Sequence, residues 1–211
     1  MKTDDLIALL ADTPAPARAP ARTLALGLGA GVVVSFAIML ASVGLRHDFD
    51  AALATPMFWM KFGYALALAA LALPLLLSLS RPTGQLTRGI YLLLLPLGIF
   101  ALMAIDRLMG AAPDERMHLI MGDTWKACSR TIFILSLPVL AGVFLSLRQL
   151  APTRLVAAGA IAGILAGAMG TFVYAFHCFE NAAPFIAIWY TLGMASVGAL
   201  GGLLGRWTLR W

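Results

Sequence analysis

The sequence predicts an all-α, polytopic membrane protein with six transmembrane helices and both termini on the cytoplasmic side (N-in/C-in). Three observations predict it. Of 211 residues, 61% are hydrophobic and 12% charged, and the mean hydropathy is strongly positive, a balance far from that of a soluble globular domain. Six apolar runs are long enough to cross a hydrocarbon core of about 30 Å. The Lys and Arg residues fall unevenly on the two sides of those runs. The formal charge of +5 would also suit a nucleic-acid binder, but cytoplasmic membrane loops need the same basic balance, so no direct nucleic-acid binding is expected.

The chain divides into a cytoplasmic tail, residues 1–23, and a transmembrane domain, residues 24–211. In the opening "MKTDDLIALLADTP", Thr3 can cap a short helix whose first turn holds Asp4 and Asp5, where the helix dipole favours acids. At 100° per residue, Leu6, Ile7, Leu9 and Leu10 cover one face while Asp5 and Asp12 fall on the other. "PAPARAP" then forms a spacer that reaches about 3 Å per residue as polyproline II. Helices that lie on lipid carry a basic polar face. This one is acidic, and a helix-in-groove contact with a partner of basic surface is at least an equal reading.

The expected spans are Leu24–Leu45, Phe58–Ser80, Gly89–Ile105, Thr131–Leu147, Leu155–Phe176 and Pro184–Gly205. The first is too long, and the segment before it too mixed in charge, for a cleavable signal peptide. The third and fourth are the shortest, flanked by Asp106, Arg107 and Arg130. Pro74, Pro96 and Pro138 fall inside spans two, three and four, where they are expected to kink the helices if neighbours satisfy the freed carbonyls. Span five carries Gly159, Gly163, Gly167 and Gly170, and span six Gly198, Gly201, Gly202 and Gly205. Such ridges let helix backbones approach, which favours a compact bundle over a substrate groove.

With the N-terminus inside, nine of the fifteen basic residues lie on the cytoplasmic side, and the inner loops and C-terminal tail hold no acid. Lys61 and Arg46 fall on the other side among Asp48, Asp50, Asp106 and Glu180. Trp59, Trp125, Tyr174, Trp189 and Tyr190 are expected at the outer boundary, and Tyr91, Trp207 and Trp211 at the inner one.

Only two cysteines are present, Cys128 just before span four and Cys178 just after span five, so both are expected on the outer face. In a bacterial chain that face is the oxidising periplasm. A structural disulfide, two unrelated thiols and a sensing pair all remain open. For sensing, His177, Glu180 and His118 are the accessory candidates, since thiolate and imidazole bind soft or borderline metals and exposed thiols oxidise. Catalysis is disfavoured because no Cys-x-x-Cys is present. Proton-coupled transport is disfavoured because charges such as Lys61 and Asp106 sit at span ends.

The segments "MKTDDLIALLA", "WKACSRTIFILSLP", "LRQLAPTR", "AGAIAG", "VYAFHCFE", "WYTLG" and "LRW" together resemble the NrsF-type family of six-span membrane anti-sigma factors, almost end to end. The resemblance implies a bundle that sequesters an extracytoplasmic-function (ECF) sigma factor at the bacterial inner membrane. It implies release under metal or oxidative stress, with Cys128 and Cys178 as the sensing pair. No resident cofactor is implied, only transient heavy-metal binding at those two cysteines. A short tail without a folded domain leaves Asp4, Asp5, Leu6, Ile7, Leu9 and Leu10, with the loops from Arg81 to Arg88 and Arg148 to Arg154, to contact the sigma factor. The expected function is thus a regulator and not an enzyme; a redox or metal-handling membrane protein without a sigma partner, or a small transporter, is the alternative.

Overall fold

The computed structural model describes residues 20–81, 88–150 and 152–210, so the tail residues Asp4, Asp5, Leu6, Ile7, Leu9 and Leu10, and most of the 81–88 loop, lie outside it. The described residues are helical, without strands. Their long helices are α1 (Pro20–Ser42), α3 (Pro56–Leu79), α4 (Leu94–Gly110), α6 (Trp125–Leu147), α7 (Leu155–Tyr174) and α9 (Thr191–Thr208). Two short helices, α2 (Phe49–Leu53) and α5 (Pro113–Met121), precede α3 and α6. A single helical turn, α8 (Ala183–Phe185), runs through a π-helical turn at Ile186–Tyr190 into α9. Six segments are long and apolar enough to cross a membrane, as expected for a multi-pass membrane protein.

Proline sets several of the starts. Pro56, Pro113 and Pro184 occupy the first turn of their helices, where a missing N–H costs nothing and a fixed φ suits the helix. Within the described residues α1 already runs from Pro20, four residues ahead of the expected Leu24. Pro74 and Pro138 are accommodated within α3 and α6. Pro96 lies inside the third span, Arg88–Gly110, as expected, but because Arg88–Leu93 is a 3₁₀ helix it falls in the first turn of α4, where a missing N–H interrupts no α-helical bond.

Helix α7 is the axis of the bundle. It makes its most extensive contact with α9 and packs against α6 and α3, while α1 docks on α6. Close backbone approach explains the glycine ridges. A Cβ on Gly159 would collide with the Gly201 carbonyl, one on Gly163 with the Val197 carbonyl, and one on Gly201 with the Gly159 carbonyl. Gly170 faces a different helix, against Ser136 of α6. Gly27 and Gly142 bring α1 and α6 together in the same way, and the Ser35 hydroxyl donates to the Leu135 carbonyl at 2.7 Å in the turn before Pro138. The outward faces of α1 and α4 carry exposed Leu26, Val33, Leu94 and Leu102, as lipid-facing surfaces require.

Candidate functional site: a buried thiol pair

The two cysteines meet at one end of the bundle. Cys128 sits in the first turn of α6, and Cys178 ends the turn that follows α7, its N–H donating to the Tyr174 carbonyl at 3.1 Å. Both are free thiols. Tyr174 and Tyr190, the latter in the π-helical turn, are buried in the same core as both cysteines, with their ring centroids 6.0 Å apart. The Tyr190 hydroxyl is fully buried and has no hydrogen bond of good geometry. π-helical turns interrupt α-helices mostly at functional sites, and this one carries Tyr190 in the core that holds both thiols.

Burial departs from expectation. Cys128 is 0% and Cys178 2% exposed, so a reagent reaches neither without movement of the protein. The aromatic belt is also redistributed. Tyr174 and Tyr190 are core residues, and Trp125 and Trp189 pack on each other with ring centroids 5.4 Å apart. Trp59 alone of that group is exposed. The Trp189 indole N–H donates to the Ile120 carbonyl and Ser129 donates to the Trp189 carbonyl, which ties the start of α6 to the π-helical turn.

Lys61, expected as a charge at a span end, is instead wholly buried within α3. Its ammonium donates to the carbonyls of Cys178 at 2.9 Å and Glu180 at 2.7 Å. No carboxylate of the described residues lies within ion-pair distance of it. Burying an ammonium costs several kcal/mol. Two charge-assisted hydrogen bonds return about 1.5–3 kcal/mol each, so the arrangement roughly breaks even and is explained by position better than by stability.

Of the accessory residues, Glu180 and His177 are tied to the main chain and His118 is not. The Glu180 carboxylate accepts from the N–H groups of Asp123 (2.8 Å) and Thr124 (3.1 Å) and from the Thr124 hydroxyl, at the N-terminus of the helix that carries Cys128. Carboxylates are favoured there by the orphaned N–H groups and the helix dipole. His177 bonds through Nδ1 to the Gly44 carbonyl at 3.0 Å. His118 is exposed, with Nε2 3.9 Å from Asp123. These residues are not brought together as ligands: among the described residues no three His, Cys, Asp or Glu side chains converge for a metal ion. The thiol pair, with two polarizable sulfurs and an orphaned hydroxyl, suits a soft ion held by sulfur alone or oxidation to a disulfide.

Two further supports were not read from the sequence. Phe58, Phe62, Phe172 and Phe176 form an edge-to-face cluster, with centroids 4.7 Å apart for Phe62–Phe176 and 4.9 Å for Phe58–Phe62, under the turn leading to Cys178. Their paired four-residue spacings were the available signal. Arg46 grips Asp48 through two hydrogen bonds of 2.7 Å and also donates to the Cys178 carbonyl at 3.3 Å. That guanidinium holds the Asp48 carboxyl down to about 2, while Asp48 raises Arg46 further. A depressed carboxyl contributes fully above its ordinary range and loses the contribution only as pH falls through about 2, so the pair is intact at physiological pH.

The family model described as "NrsF: Negative regulator of sigma F" matches residues 9–211. A protein of Azospira oryzae named "Probable anti-sigma-F factor NrsF" is 47% identical over 214 aligned positions, covering 100% of both chains. The "Anti-sigma-F factor NrsF" of Caulobacter vibrioides is 38% identical over 215, again covering 100% of both. No solved structure matches the chain. A match that takes in every helix and both thiol-bearing segments places the chain in the NrsF family, negative regulators of sigma F.

Proposed function

We propose that the protein is an anti-sigma factor of the bacterial inner membrane that holds an ECF-type sigma factor inactive and releases it when Cys128 and Cys178 react with a metal ion or an oxidant. The observation that carries the regulatory part is the end-to-end likeness to two proteins named anti-sigma-F factors. The burial of the only two cysteines in one core with Tyr174 and Tyr190 supports the sensing part. The sigma factor is bound by the tail through Asp4, Asp5, Leu6, Ile7, Leu9 and Leu10, and the protein is a regulator and not an enzyme.

Co-purification of the sigma factor with the detergent-solubilised protein tests both parts. Wild type retains the factor and loses it on adding cadmium or diamide. Replacing Leu6 and Leu10 together by Asp removes about 3–6 kcal/mol of gross apolar burial and abolishes retention. Cys128→Ser and Cys178→Ser each retain the factor whatever is added, and the double variant behaves as either single one, since groups acting as a unit are non-additive. Release from both cysteine variants on treatment would refute the sensing part. No retention by wild type would refute the sigma partner and favour a redox or metal-handling role.

A further inference from the structure

Among the described residues, Lys61 is a charged side chain within a membrane-spanning helix that reaches the main chain at Cys178, and it belongs to no role described so far. Lys61 spends two of the three donors of its ammonium on the carbonyls of Cys178 and Glu180, two residues apart in one short non-helical segment, residues 178–182, that begins with Cys178. The same segment carries Glu180, whose carboxylate takes two N–H groups and a hydroxyl at the start of α6, one turn before Cys128. Gly122, at the end of α5, makes room for that carboxylate, since a Cβ there would stand 2.7–2.8 Å from it. Lys61, the 178–182 segment and the α6 N-terminus therefore form a continuous chain of charge-assisted contacts, with one thiol at each end.

We infer that Lys61 and Glu180 are positioning residues: together they clamp the two thiol-bearing elements shut over the sulfurs, so that opening at one cysteine opens the other. A charge buried at a cost, satisfied only by main-chain carbonyls, is retained because it fixes where those carbonyls lie. A soft metal ion that reaches Cys178 during a transient opening binds its sulfur in place of the thiol proton, which passes to water, and the bound ion keeps the segment from closing, with its carbonyl off Lys61. Displacement of Glu180 follows, and α6 loses its cap at the end that holds Cys128. This inference rests on the thiol-sensing reading of the same site and supplies its mechanism.

Alkylation of the full-length protein in native membranes, prepared without any sigma factor, tests the clamp apart from the regulatory reading. A maleimide-coupled polyethylene glycol counts modified thiols by gel shift, with each cysteine followed in the presence of the other replaced by Ser. Lys61→Met removes the donors at similar volume, and Glu180→Ala removes the cap. Each variant raises the alkylation rate of both cysteines at least tenfold over wild type. Gly159→Ala, which disturbs the α7–α9 contact near the opposite end, leaves both rates within twofold. Should Lys61→Met fail to accumulate, Glu180→Ala decides alone, through its effect on both cysteines, Cys178 on its own segment and Cys128 on α6. Rates within twofold of wild type in the clamp variants, an effect confined to the nearer cysteine, or an equal rise in Gly159→Ala would each overturn the clamp. Failure of the sigma-binding test leaves these rates unaltered, so the two ideas fail separately.

Discussion

At Gly122 a single hydrogen atom in place of a side chain lets the thiol end close. Its backbone stands at φ 53°, ψ −167°, a region that only glycine enters without strain, and its N–H accepts no substitute role because it caps α5 by donating to the His118 carbonyl at 2.7 Å. Gly122→Ala would incur about 1–3 kcal/mol of backbone strain and push the new Cβ into the Glu180 carboxylate. The expected outcome is a lower thermal midpoint of the solubilised protein together with faster alkylation of Cys128, whose helix loses its cap. A lower midpoint with unchanged alkylation would show that Glu180 finds its partners by another route. Neither this glycine nor Lys61 stood out in the sequence. A lone Lys a few residues inside an apolar run reads as an end-of-span charge, because hydropathy reports how far a residue lies along a helix and not which neighbour it faces. Its acceptors come from a segment more than a hundred positions away.

Among elements, the spanning helices were legible, and the reason is physical. Crossing a hydrocarbon layer demands about twenty apolar residues in a row, a requirement written locally in the chain. All six expected runs correspond to helices long and apolar enough to cross a membrane, with ends displaced by a few residues, as where Pro56 or a 3₁₀ turn sets the start. The α5 helix and the π-helical turn went unread because their partners, Trp189 with Ile120 and Tyr190 with Tyr174, are tertiary. The glycine ridges were legible in spacing and split in function: Gly159 and Gly163 meet α9, whereas Gly170 meets α6. This split makes a paired prediction. Gly163→Ala forces a methyl against the Val197 carbonyl and to 2.8 Å from the Gly198 Cα, where only backbone could yield, so it destabilises by about 1–3 kcal/mol. Gly29→Ala meets nothing within 4 Å on the exposed side of α1 and gains helix propensity, up to about 1 kcal/mol. Thermal unfolding of the two variants in one detergent checks both signs. A lower midpoint for Gly29→Ala would mean that this face of α1 is covered by another chain.

For the whole molecule, charge and fold give one axis. Following the six crossings, Arg22, Arg81, Arg88, Arg148, Arg154, Arg206 and Arg210 fall at the end where α1 starts and α9 stops. Among the described residues the acids, from Asp48 and Asp50 through Asp106, Asp114, Glu115 and Asp123 to Glu180, fall at the other end, with the thiols. Short basic loops are retained on the cytoplasmic side during insertion, and acids exert little influence, so the arginine end is expected inside. The tail, which enters α1 at Pro20, is then cytoplasmic and within reach of a sigma factor, while the thiol clamp faces the compartment where disulfides persist. A fluorescent reporter joined after Trp211 should therefore light up, and alkaline phosphatase inserted between Asp114 and Asp123 should be active. The two results together fix the orientation, because the crossings between those points are the α6, α7 and α9 segments. An inactive phosphatase at the α5 insertion, with the fusion still present in the membrane, would turn the molecule over. Both thiols would then sit in a reducing compartment, and oxidation of the pair would lose its physical basis as the release signal.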